Sequence, residues 1–213
     1  MQNRNRLSVW IAAALLLAAL VGAGPFVSRA SAADILGPEP SGLFAPTPGA
    51  AMIDPYRAEV RVGGFAHGVG SIESGTVDFN AELVLPRLPF GQGEWWSFLV
   101  PRPHIGAMAN LDNRSSYVYA GAVWTIPLWY GVFIEPFFGG AAHNGSLVGT
   151  RDLVALGCQP LFHVGGSVGY TVTSNLHVMF TIDHVSNGNE VFGTDCNRNQ
   201  GLNNYGLRLG YSF

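Results

Sequence analysis

A histidine and a serine stand two apart in TIDHVSNGNE, residues 181–190, where a run of alternating apolar residues ends. Residues i and i+2 of an extended strand share a face, so the His184 imidazole can reach the Ser186 hydroxyl and act as its base. Such a pair needs a third group to orient the ring and support the charge it acquires. Asn203, further along the chain, can accept a hydrogen bond through its amide oxygen but supplies no negative charge. A plainer reading also fits: a histidine in an interfacial girdle and a serine entering a loop. The solvent that this face meets decides between them.

The flanking pattern has period 2. In SNLHVMFTIDHVS, Leu176, Val178, Phe180 and Ile182 alternate with His177, Met179, Thr181 and Asp183. GTVDFNAELVL sets Val77, Phe79, Ala81, Leu83 and Leu85 against Asp78, Asn80 and Glu82, and the chain ends with Tyr205, Leu207, Leu209, Tyr211 and Phe213 on one face. Segments of this kind fall at 57–67, 75–86, 95–110, 115–127, 130–142, 159–171, 175–187 and 203–213. Short links (87–94, 128–129, 172–174) alternate with mostly longer polar ones (68–74, 111–114, 143–158, 188–202).

That asymmetry predicts an all-β fold, an eight-stranded antiparallel transmembrane β-barrel with short periplasmic turns and longer extracellular loops. A soluble lipocalin-like barrel would carry its polar face outward. Here the polar face holds Asp78, Glu82, Arg102, Asp183 and Arg208, a set that can pair within a narrow lumen. His184 and Ser186 share the parity of the apolar face. The ten residues from Leu176 to Ser186 span about 33 Å of strand, or roughly 25 Å of height at the usual tilt. Ser186 is therefore expected at the outer-leaflet rim, within reach of a lipid ester. Outward parity in the last strand runs from Phe213 back to Asn203, beside Ser186.

The beginning of the chain reads as an export signal. Arg4 and Arg6 precede an apolar stretch from Val9 to Val21, and Ala30-Ser31-Ala32-Ala33 offers a small-residue cleavage site. Residues 1–33 are thus expected to be a signal peptide, 34–56 an irregular tail rich in Pro, Gly and Ala, and 57–213 the barrel. Without Arg4, Arg6 and Arg29, 8 basic residues face 14 acids, and lysine is absent. Nothing in this balance favours nucleic acid. Cys158 and Cys196 both lie in the exported part, where an oxidising compartment lets them pair; two unpaired buried thiols are the alternative. The six histidines show no H-x₃-H or H-E-x-x-H spacing, so neither metal nor cofactor is expected. His143, in AAHNG, is the one outside the His–Ser pair expected near the same rim. Trp95, Trp96, Trp124, Trp129 and Tyr130 suit interfacial aromatic girdles.

HVSN at 184–187, N-x-G-L-N at 199–203 and YGLRLGYSF at 205–213 resemble the C-terminal signature of the bacterial lipid A 3-O-deacylases, the PagL-type, acyloxyacyl hydrolase-like barrels. GCQPLFHVGGSVGY (157–170) and FFGGAAHNG (137–145) are similar to strand segments of that family. The resemblance is strongest over 130–213, weaker over 57–129 and absent from 34–56. It implies an outer-membrane serine esterase that removes the 3-O-linked acyl chain of lipid A in the lipopolysaccharide leaflet. Ser186 matches the nucleophile and His184 the base, while Asn187 and Asn199 match asparagines that steady the oxyanion or the loop. One position departs: Asn203 stands where well-known members carry glutamate. Glu190 and Asp195 are acidic alternatives in the adjacent loop. No residue pattern marks a homodimer, which stays open as a partner. A non-catalytic structural or adhesive barrel, or another outer-membrane lipid hydrolase such as a phospholipase, are the competing readings.

Overall fold

The computed structural model describes residues 52–188, 196, 198 and 200–213; the expected signal peptide and almost all of the tail lie outside them. The strands are β1 (Glu59–Ala66), β2 (Val77–Val84), β3 (Arg102–Asn110), β4 (Tyr117–Val123), β5 (Ile126–Pro127), β6 (Val132–His143), β7 (Leu161–Thr171), β8 (Leu176–Ser186) and β9 (Leu202–Ser212). Each pairs antiparallel with its sequence neighbour along β6–β7–β8–β9 and β1–β2–β3–β4. β9 closes on β1, from Glu59↔Ser212 to Ala66↔Tyr205, and β4 pairs with β6. β4 and β5 form one interrupted strand, so eight strands close a barrel, which leaves no open edge to face lipid.

Burial is inverted relative to a soluble protein. Leu207, Val168 and Tyr211 are more than half exposed, while Glu59, Arg61, Arg102, Asp183 and Arg208 are buried. The buried charges satisfy one another across the lumen, as buried charges must. Arg61 meets Glu59 and Glu135 at 2.8 Å each, Arg102 meets Glu59 at 3.2 Å, and Arg208 meets Glu82 at 3.0 Å. His104 Nδ1 lies 2.6 Å from Glu82 and His163 Nε2 2.7 Å from Asp183, whose other oxygen accepts from the Tyr117 hydroxyl.

Two expected strands need correction. Residues 95–101 include three aromatics and Val100, yet β3 starts only at Arg102, and Ser97–Leu99 forms a short 3-10 turn. The reason is the lack of a partner: the β2 ladder stops at Val84↔His104 and that of β4 at Arg102↔Val123. The link at this end therefore runs over 85–101, not 87–94. The expected strand 115–127 is interrupted at Trp124–Thr125, opposite Pro136 of β6, which has no N–H to donate. The Thr125 carbonyl, on the side where β3 has not yet begun, accepts from the Arg87 guanidinium.

One end of the barrel carries the 128–131 and 172–175 turns, the 85–101 link and the C-terminus; the other carries the connections 67–76, 111–116, 144–160 and 187–201. The usual loop asymmetry makes the first end periplasmic. Its mouth is filled by Ile53 against Phe133 and Met179. The extracellular mouth is capped by loop residues that fold inward, Val154 and Leu156 packing with Phe65, Leu161 and Leu202. Glu73 ties this cap together, accepting from Ser115 N at 2.7 Å, Val154 N at 2.8 Å and the Ser115 hydroxyl at 2.9 Å. His67 sits between Glu73 (3.0 Å) and Asp78 (2.8 Å). Burial opposes its charge, but the two carboxylates outweigh burial and raise its pKa to about 9.

Candidate functional site

The β7–β8–β9 seam sets the site at the extracellular end. In the ladders, His184 lies opposite Asn203 on one side and Val164 on the other, and Ser186 lies opposite Phe162. His184 and Ser186 are both half-buried on the outward face, with Val185 between them buried in the lumen. Below them on the same face, Ile182, Phe180 and Val178 stand exposed.

His184 Nδ1 and Asn203 Oδ1 are 2.7 Å apart. With the amide oxygen as acceptor, Nδ1 carries the ring proton and Nε2 keeps its lone pair. That is the tautomer a general base needs when its other nitrogen is oriented by a third group. Among the described residues no hydrogen bond joins Ser186 to the ring; in ligand-free sites such bonds are often long and tighten on substrate binding.

Gly201, one residue before β9, lies against both side chains. A Cβ there would stand 3.0 Å from His184 Cε1 and 3.5 Å from Ser186 Cβ, and its φ of +59° is one that glycine adopts freely. Strand parity gave no hint of this residue, although it forms the middle of N-x-G-L-N.

The supporting candidates are distributed differently. Asn187 turns inward, and its Nδ2 donates to Leu156 O at 2.9 Å and Arg198 O at 2.5 Å. Both amide hydrogens thus join the 144–160 and 187–201 connections instead of pointing to the outward face. Ala155 and Gln200 add a reciprocal pair, Ala155 N to Gln200 Oε1 at 2.6 Å and Gln200 N to Ala155 O at 3.0 Å. Cys158 and Cys196 are bonded, with Cα atoms 5.6 Å apart, which links the same two connections covalently. His143, the last residue of β6, faces inward with Nε2 3.2 Å from Cys158 O, so it braces the bridge and stands apart from His184. Asn199, Glu190 and Asp195 lie outside the described residues.

The remaining histidines have lumen partners, with His177 Nε2 3.0 Å from the Ser212 hydroxyl. The outward face thus brings together a serine hydroxyl, an imidazole held by an amide, and apolar strand surface beneath them, an arrangement that suits acyl transfer from a lipid.

A family model described as Lipid A 3-O-deacylase (PagL) matches residues 91–212, more than half of the chain and all of the seam. Among solved structures, the crystal structure of the outer membrane enzyme PagL superposes with a TM-score of 0.52 at 18% identity, covering 73% of this chain and 99% of that one; at this identity the likeness concerns the fold. The N-terminal β-barrel domain of Pseudomonas aeruginosa OprF gives a TM-score of 0.47 at 13% identity, over 74% of this chain and 98% of that one. A search of curated proteins finds no match.

Proposed function

Because the chain belongs to the lipid A 3-O-deacylase (PagL) family, we propose that it is an outer-membrane serine esterase that removes the 3-O-linked acyl chain of lipid A. The observation that carries the proposal is the outward-facing His184–Asn203 hydrogen bond two residues from Ser186, at the loop end of β8.

The reaction follows from that geometry. Ser186 Oγ attacks the ester carbonyl at position 3 while His184 Nε2 takes the hydroxyl proton. The tetrahedral oxyanion needs donors, which nearby backbone N–H groups or Asn199 supply. As the intermediate collapses, His184 returns the proton to the sugar 3-oxygen, and the acyl chain stays on Ser186. A water activated by His184 then hydrolyses the acyl-enzyme, releasing the fatty acid and restoring Ser186. Asn203 holds the ring through Nδ1, but as an amide it does not neutralise the imidazolium. No cofactor takes part. Asn187 and His143 serve this reading as loop supports, and one barrel is enough for it; the comparisons lend a homodimer no support.

The acyl chain has an apolar path. An outward hollow of about 800 Å³, lined in part by Val178, Phe180, Leu207 and Leu209, opens on the same strands below the site. The test expresses wild type and Ser186→Ala in a bacterial outer membrane and weighs the lipid A by mass spectrometry. Loss of a 3-hydroxyacyl chain with wild type alone supports the deacylase. Unchanged lipid A with folded wild-type barrel favours a structural protein, and loss of a phospholipid acyl chain favours a phospholipase.

A further inference from the structure

At the end of the barrel remote from the site, large apolar side chains gather on loops and not on strands. The 85–101 link exposes Trp95 (81%), Phe90 (64%) and Leu99 (56%), and the neighbouring 128–131 turn exposes Trp129 and Tyr130. Only two charged residues occur in 85–101, Arg87 and Glu94. Arg87 is buried, its guanidinium occupied by Thr125 O and lying over the Tyr56 ring. A loop in water that displays so much apolar surface with one exposed charge is unusual.

Its position suggests what covers it. Trp124 continues the outward parity of β4, and its Nε1–H donates to Leu99 O at 2.9 Å. The link is thereby tied to the outer, lipid-facing side of the wall. The barrel mouth itself is already filled by Ile53, Phe133 and Met179. The exposed side chains thus continue the apolar band of the strands downward, along an arc from β2 to β6. The 172–175 turn, on the side of the candidate site, is Val-Thr-Ser-Asn and mostly polar. Indole and phenyl rings with a polar edge settle at the boundary between head groups and acyl chains.

We propose that residues 85–101, with the Trp129–Tyr130 turn, form a foot embedded in the interface of the periplasmic leaflet, its occupant being the phospholipid of that leaflet. The foot lies across the barrel from the β8–β9 seam and at the opposite leaflet, and it holds the barrel in the membrane whether or not the seam hydrolyses lipid.

The test refolds the full chain into phosphatidylcholine vesicles, with and without bromine on the acyl chains. The difference in emission between wild type and Trp95→Phe/Trp96→Phe isolates these two indoles and leaves Trp124 and its bond in place. Heat-modifiable gel mobility checks folding; if the double variant fails to fold, Trp95→Phe alone serves, since Trp95 is the most exposed of the large apolar side chains among the described residues. The expected difference spectrum is blue-shifted and loses intensity in brominated vesicles, most with bromine near the head groups. A spectrum of hydrated indole that bromine leaves unchanged overturns the proposal. A blue-shifted but unquenched spectrum also overturns it, because protein, either a second copy or the chain's own N-terminal segment, then covers the foot.

Discussion

Replacing Asn203 by Asp tests the amide's part in the proposed site directly. The Asn203 oxygen lies 2.7 Å from His184 Nδ1, so a carboxylate there keeps the hydrogen bond and adds a negative charge beside the ring. Charge centres about 4 Å apart attract by about 1 kcal/mol in water and about 4 kcal/mol at the effective dielectric of a protein surface. Asn203 is exposed and His184 half-buried, which places the gain at the lower end, about 1–2 kcal/mol. If that gain appears only when the imidazolium forms in the transition state, the rate rises about 5- to 30-fold. Asn203→Leu removes the acceptor and the hold on the tautomer, about 1 kcal/mol, and lowers the rate about fivefold. The assay follows release of fatty acid from lipid A by refolded protein in mixed micelles. It is read on the alkaline plateau, where the base is free in all three proteins. An Asn203→Asp rate equal to wild type, together with an Asn203→Leu rate also equal to wild type, refutes the role given to this bond.

Four further outcomes are expected. His184→Ala should abolish deacylation while leaving the barrel's heat-modifiable mobility intact, and Ser186→Ala should do the same. Gly201→Ala puts a methyl 3.0 Å from His184 Cε1 at a φ of +59°, so turnover should fall about tenfold or more while the unfolding free energy drops by only about 1 kcal/mol; unchanged turnover would remove Gly201 from the site. Cys158→Ser/Cys196→Ser opens a link of sequence separation 38 and should cost about 3–4 kcal/mol, seen as a lower unfolding temperature under non-reducing conditions. His67 has its pKa raised to about 9, so its contribution to the extracellular cap is complete below its unfolded value near 6.5 and is lost as pH rises through about 9. The loss is about 3 kcal/mol, and His67→Gln should flatten that alkaline decline in thermal stability.

Much of this protein was legible from local alternation. Period 2 in SNLHVMFTIDHVS and in the last nine residues separates a lipid face from a lumen face, and that parity alone turns His184, Ser186 and Asn203 outward. The pairing of Cys158 and Cys196 was likewise expected from the export signal read in the sequence, and the two are bonded. The misreadings arose where the answer depends on a partner far along the chain. Residues 95–101 have strand-forming side chains but no strand beside them, because β2 has already ended at Val84. Pro136 breaks the β4–β5 strand from across a ladder. Asn187 was expected to steady the oxyanion or the loop, and which loops it joins, through Leu156 and Arg198, depended on how two connections pack. Gly201 became visible only when β8 and β9 were paired in register. A strand's two faces are a property of its own residues and so can be read from sequence. Closure, register and loop packing join residues dozens of positions apart, and only the tertiary structure decided them.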